Sequence, residues 1–329
     1  MNEALAEVWR GDMVESVHYG HAVVTDARGA VLAEWGDPGT LIYPRSSCKM
    51  IQALPLLESG AAKAAGLGPE HLALACASHQ GAAIHTERVT DWLATLGLGE
   101  ADLRCGPQIP NDKTARDGLR TACVCPDQRH NNCSGKHSGF LTLNRHLGGG
   151  PDYIESDHPV QRAVKQAFEE MTGETTPHFG IDGCSAPNFA CTLRGLATAM
   201  ARMAAPAPGA RGDAARALVA AMVAHPLLVA GTGRACSELM AAMENVAIKT
   251  GAEGVFVAIL PARGLGVAVK IADGATRGAE AAIAAILVAL GALDRNHPAA
   301  QRRLGAEIRN RRDILTGHVR AVDGLMRPI

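Results

Sequence analysis

Two β-patterned stretches lie near opposite ends of this chain, and they constrain its fold more than anything between them. Residues 14–35 read VESVHYGHAVVTDARGAVLAEW, two apolar runs joined at 26-DARG-29, which is a hairpin signature. Residues 254–273 read GVFVAILPARGLGVAVKIAD, again two strands, turned at 262-ARGLG-266. A helix apolar enough to lie against a sheet follows at 276–293.

The intervening chain reads as mostly helical. In 157-DHPVQRAVKQAFEEMTG-173, Asp157 is the expected N-cap and Gly173 the stop, with Val160, Val164, Ala167, Phe168 and Met171 on one stripe. Further helices are predicted over 188–204 and 213–224, and loops at 105–112, 130–139 and 181–188. The expected architecture is α/β (α+β): a sheet-containing part from 1–42 and 249–329, and a mostly helical insertion over 43–248. The active site is expected at the seam, where such sites tend to sit.

Several function classes are poorly matched. Net charge is −1 with no basic block, and aromatics are 3% of the chain, so neither nucleic acid nor an anionic membrane is an expected partner. The N-terminus lacks the pattern of a secretory signal, and the apolar run 279–293 is too short to span a bilayer. Nine cysteines, odd in number and scattered, fit free thiols in a reducing compartment, and a cytoplasmic location is expected.

Three pieces carry chemistry. In 43-YPRSSCKMIQALPLLESG-60, Ser46 and Lys49 are spaced S-x-x-K, so that on a helix the amine could take the serine proton. The bland alternative is a capping serine beside a solvated lysine. In 249-KTGAEGVF-256, Lys249 leads into a strand and Gly251 permits close approach to the backbone. Between them, in 75-ACASHQG-81, Ser78 is either a helix cap or the partner of Lys249 in a second Ser-Lys couple. Serine β-lactamases and penicillin-binding proteins share the S-x-x-K and K-T-G order, but Ser-His-Gln stands here in place of their S-D-N.

The stretch 130-HNNCSGKHSGF-140 packs a thiol, an amine and an imidazole into five residues. Cys133 and Cys184 with one nitrogen ligand would suit a tetrahedral zinc site. Spacing alone leaves open whether Lys136 or His137 supplies the nitrogen, and whether these are only buried free cysteines.

In this order, RSSCK, LACASHQG, CGPQIPND, NNCSGKHSGF, GIDGCSAPN, GTGR and KTGAEGVF resemble the Rhizobium etli-type (class 3) L-asparaginases, from about residue 14 to residue 293. The chain after 294 adds little to the likeness. The resemblance implies a β-lactamase/glutaminase-like fold and a homodimer. It also implies two Ser-Lys tandems, Ser46 with Lys49 and Ser78 with Lys249. Zinc, one per chain, would be bound by Cys133, Lys136 and Cys184, and would tune substrate binding rather than be obligatory for the chemistry. Arg45, His137 and Asp182 would be substrate contacts.

The expected activity is therefore hydrolysis of L-asparagine to L-aspartate and ammonia through an acyl-enzyme. Rivals are a glutaminase or other small-amide hydrolase, a penicillin-interacting hydrolase, and a non-enzymatic zinc or amino-acid sensor. Cys48, Cys76, Cys105, Cys123, Cys125, Cys191 and Cys236 read as core thiols, with Cys48 close enough to RSSCK chemistry to sensitise it to oxidation.

Overall fold

The computed structural model describes residues 1–329. Contacts divide the chain into two compact units: Met1–Ser47 with Cys191–Ala205 and Glu238–Ile329, and Cys48–Ala190 with Pro206–Ser237.

The first unit is built on an eight-stranded sheet. Its strands run, from one edge, Ala306–Arg309, Leu315–Ala321, Glu3–Arg10, Met13–Asp26, Leu265–Ile271, Val255–Leu260 and Ala247–Gly251, with Val31–Trp35 also paired on Met13–Asp26. Every pairing is antiparallel. The two stretches singled out in the sequence meet directly: Val24 faces Val267 and Gly20 faces Ile271. The first hairpin turns where predicted, with the Asp26 carboxylate accepting from the amides of Arg28 and Ala30, both at 2.9 Å.

Val255–Leu260 is buried at every position, so both faces of the sheet are covered there. The helices Leu193–Ala204 and Thr276–Ala289 pack on this sheet. The first of them comes so close to the Leu265–Ile271 strand that a Cβ at Gly266 would collide with the backbone of Ala197 and Ala201. Burial of its apolar face keeps this helix with the sheet, although it falls inside the 43–248 span expected to be the helical part. The strands Glu3–Arg10, Ala306–Arg309 and Leu315–Ala321 carry no prediction above. Their alternation is interrupted by charge, which the structure pairs across strands, as in Arg320 Nε to Glu7 Oε2 at 3.1 Å.

The second unit is mostly helical. Its principal helices are Pro69–Ala75, Ala83–Thr95, Ser134–Leu147, Pro159–Thr172 and Ala210–Ala224. The predicted stripe of Pro159–Thr172 is buried as expected, each large side chain contributing roughly 1.5–3 kcal/mol. Its N-cap is His158 rather than Asp157: the ring Nδ1 accepts from the Val160 amide at 3.2 Å. Gly173 ends the helix with φ 75°. Cys123 and Cys125, expected in the core, are exposed, because the loop after the surface helix Lys113–Thr121 buries nothing; the other seven cysteines are buried, and all nine are free thiols.

No helix of the chain is long and apolar enough to cross a membrane.

Candidate active site

In the sheet unit, Arg45 and Ser46 occupy a 3-10 turn, Arg45–Cys48, entered from Pro44. The Ser47 hydroxyl donates to Pro44 O at 2.7 Å and tightens this turn. The turn lies against the end of the Ala247–Gly251 strand: a Cβ on Gly251 would sit 2.6 Å from Pro44 O and 3.2 Å from Ser47 N. That contact is the physical reason for glycine in Lys-Thr-Gly. Lys249 is fully buried and donates to Thr250 O at 2.9 Å. Arg45 has φ 54° and points Nη1 at Glu253 Oε1, 3.8 Å away. Ser46 caps no helix; the following helix, Lys49–Gln52, has Cys48 at its N-cap without a side-chain bond.

In the helical unit, Lys49, Cys133, Lys136, His137 and Cys184 are brought together, all buried. Lys49 Nζ donates to Ala77 O and to Cys133 Sγ, the latter at 3.1 Å. Ala77 precedes Ser78, so this lysine reaches the Ser78 segment as well as the thiol. Ser78 is buried, and its amide donates to Val229 O at 2.9 Å. It is not a helix cap, since the next helix begins at Ala83 with Ala82 at its N-cap.

Cys133 is the N-cap residue of Ser134–Leu147, which puts Lys136 and His137 in the first turn. Two features of NNCSGKH hold that turn. The Asn131 side chain accepts from the Cys133 amide at 2.9 Å and donates to Cys105 O, also at 2.9 Å. Gly135 lies so close to Leu74 that a Cβ would overlap its carbonyl oxygen. Cys184 comes from the turn between the short strands Phe179–Ile181 and Pro187–Phe189, where Ser185 adopts φ 69°. Asp182, half-buried, accepts the Ser185 amide on its own carbonyl at 2.8 Å and closes that turn.

Lys136 Nζ donates to Cys184 Sγ at 3.1 Å. The two thiols titrate together: the hydrogen bond from Cys133 holds Cys184 well below the usual thiol range, helped by Lys136, while Cys133 is pushed up by the same bond and by burial. Burial works against charge on Lys136, but the Cys184 and Cys133 sulfurs outweigh it and raise the amine. Burial also pushes Cys48 and Cys105 up to about 12, so both are inert thiols.

No group of three or more His, Cys, Asp or Glu side chains is arranged to hold a metal ion. The convergent donor set is instead two sulfurs and one amine. Its chemistry suits a soft or borderline cation such as zinc, which would take over the balancing charge and displace the lysine proton.

Sequence reasoning missed Tyr153, which is completely buried against the His137 ring. Nothing in 148-GGGPDY-153 marks it. It also missed Asn131 and Gly135, whose roles depend on contacts from distant segments.

The chain matches the model of the L-asparaginase II family over residues 6–321. A search of curated proteins returned no match. Solved structures show weaker likeness. A β-lactamase from Mycobacterium bovis is 16% identical, with 79% of this chain and 89% of that chain covered and a TM-score of 0.45. Mglu in its tris and glutamate form is 14% identical, with 79% of this chain and 56% of that chain covered and a TM-score of 0.44. The family match takes in both strand-rich ends and every motif described above, and on that basis the chain belongs to the L-asparaginase II family.

Proposed function

We propose that this protein hydrolyses L-asparagine to L-aspartate and ammonia. The observation that carries the reading is the family match over residues 6–321, within which every Ser, Lys and Cys of the resembling motifs is present.

The reaction runs through a serine ester. A serine hydroxyl, Ser46 or Ser78, passes its proton to a lysine amine, Lys49 or Lys249, and its oxygen bonds to the side-chain amide carbon. The proton returns to the amide nitrogen as the C–N bond breaks, releasing ammonia. Water then adds to the ester carbon, the C–O bond to serine breaks, and aspartate leaves with the serine hydroxyl restored. The serine that does not attack relays protons. Arg45 takes the substrate α-carboxylate through charge-assisted hydrogen bonds, and Asp182 takes the α-ammonium. His137 binds a substrate oxygen.

Cys133, Lys136 and Cys184 would hold zinc, which when bound supplies a fixed positive charge that orders the substrate-binding side chains. The steps above use the serines and lysines alone.

The test is ammonia release from L-asparagine and L-glutamine side by side. Turnover of asparagine well above that of glutamine is the expected result. Turnover of glutamine alone would move the assignment to a glutaminase, and binding of asparagine without ammonia would move it to a sensor.

A further inference from the structure

Two turns of the sheet unit meet next to Ser46, and each holds a charged residue in a backbone conformation that favours glycine. Arg45 has φ 54° at the start of its 3-10 turn. Glu253 has φ 59° in the turn between Ala247–Gly251 and Val255–Leu260. Glu253 Oε1 lies 3.8 Å from Arg45 Nη1, with the carboxylate side chain 68% exposed and the guanidinium side chain 26%.

The turn that carries Glu253 is anchored through its backbone. Gly254 O accepts the Ile271 amide at 3.0 Å. Lys270 Nζ donates to Glu253 O and, at 3.0 Å, to Ile271 O, so this amine is engaged with carbonyls rather than with the Glu253 carboxylate. Gly274 leaves the room that the carboxylate needs, since a Cβ there would sit 2.9 Å from Glu253 Oε2. Gly251, packed against Pro44 O, fixes the same hairpin on the Arg45 side. An ion pair this exposed adds little to stability. A side chain at positive φ lowers it. Stability therefore does not account for a glutamate at this position.

Ligand chemistry does. A guanidinium alone takes any carboxylate. A protein carboxylate beside it repels a plain anion, and only a ligand with a cation next to its own carboxylate recovers the loss. An α-amino acid is such a ligand, with ammonium and carboxylate on one carbon.

We infer that Glu253 is a specificity-determining residue whose carboxylate accepts the α-ammonium of the substrate while Arg45 takes the α-carboxylate, so that the pair selects zwitterionic α-amino acids over their desamino analogues.

Glu253 adds to Asp182 a second acceptor for an ammonium that has three hydrogens to donate. The inference rests on the reading of Arg45 as the residue that binds the substrate carboxylate.

The discriminating pair of substrates is L-asparagine and succinamate, the same amide without the α-amino group. In Glu253→Gln, KM for L-asparagine should rise about five- to tenfold, while KM for succinamate stays level or falls and kcat changes much less for both. An unchanged or lowered KM for asparagine overturns the inference. So does an equal rise for both substrates, which would make Glu253 a support for Arg45 alone. Glu253→Gly guards against a folding defect, because it removes the carboxylate and relieves the backbone at φ 59°. It should fold and show the same selective rise in KM, and a wild-type KM in this variant overturns the inference. If the wild-type protein hydrolyses neither amide, L-aspartate and succinate are titrated by calorimetry instead. A wild-type preference for L-aspartate that Glu253→Gln abolishes supports the inference and removes the asparaginase reading. Equal affinities in the wild type, a preference that the variant keeps, or no binding of either ligand overturns it.

Discussion

Lys49 Nζ lies 3.1 Å from Cys133 Sγ, although the two are 84 positions apart in the chain and neither is exposed. The lysine that the S-x-x-K spacing links to Ser46 is therefore in contact with the thiol of the proposed zinc set and with the carbonyl preceding Ser78. One buried amine touches the Cys133 thiol and the backbone beside Ser78.

Replacing it should separate chemistry from packing. Lys49→Met keeps most of the buried volume and removes the amine, so the fold is expected to survive by circular dichroism. Ammonia release should fall by about a hundredfold or more, the usual weight of a positioned acid–base group. A variant retaining activity within about fivefold would remove Lys49 from the proton transfers.

The Cys133–Lys136–Cys184 set predicts metal dependence of a particular kind. Cys133→Ser and Cys184→Ser should each abolish stoichiometric zinc in the purified protein, measured by elemental analysis. Chelation of the wild-type protein should raise KM for asparagine by about tenfold or more while kcat changes much less. A collapse of kcat with KM unchanged would contradict the substrate-ordering role.

Gly135 is predicted to be irreplaceable for a packing reason. Gly135→Ala should lower stability by about 1–3 kcal/mol, since the new methyl would overlap Leu74 O and the backbone must move. Gly118 provides the control: it lies in the exposed helix Lys113–Thr121, and a Cβ there meets nothing within 4 Å. Gly118→Ala should stabilise by about 0.5–1 kcal/mol through helix propensity. Denaturant midpoints of the two variants should move in opposite directions.

Acid should weaken the protein before its carboxylates titrate. Burial holds the imidazoles of His21, His71 and His85 below their ordinary value of 6.5. The unfolded chain then binds more protons than the folded one as the pH falls. The stability these groups contribute is fully present above 6.5 and is lost as the pH falls from there through their folded values. Denaturant midpoints measured from about pH 7.5 down to about pH 5.5 should fall steadily, and less steeply in His85→Gln. A flat profile in the wild type would contradict the burial of neutral rings.

What was legible in the sequence is what local pattern encodes. The hairpin at Asp26–Gly29, the stripe from Val160 to Met171 and the stop at Gly173 all follow from periodicity and turn chemistry, and the structure has them. The strands Ala306–Arg309 and Leu315–Ala321 were not legible, because their alternation mixes charge into a pattern that only the partner strand Glu3–Arg10 completes. The same holds for Leu193–Ala204, whose allegiance to the sheet depends on a glycine 62 positions beyond its end. In the candidate site, residue types and spacing pointed to Cys133 and Cys184 and left Lys136 and His137 as alternatives, between which only the resemblance chose. The partner of Lys49 and the hydroxyl under His137 are set by long-range folding, which leaves no local trace.

The most direct test of the account is ammonia release from L-asparagine by the wild-type chain, Ser46→Ala and Ser78→Ala under one set of conditions. The account predicts strong turnover by the wild type and losses of about a hundredfold or more in both variants, one as the nucleophile and the other as the proton relay. Near wild-type ammonia release from both variants, or none from the wild type, would contradict it.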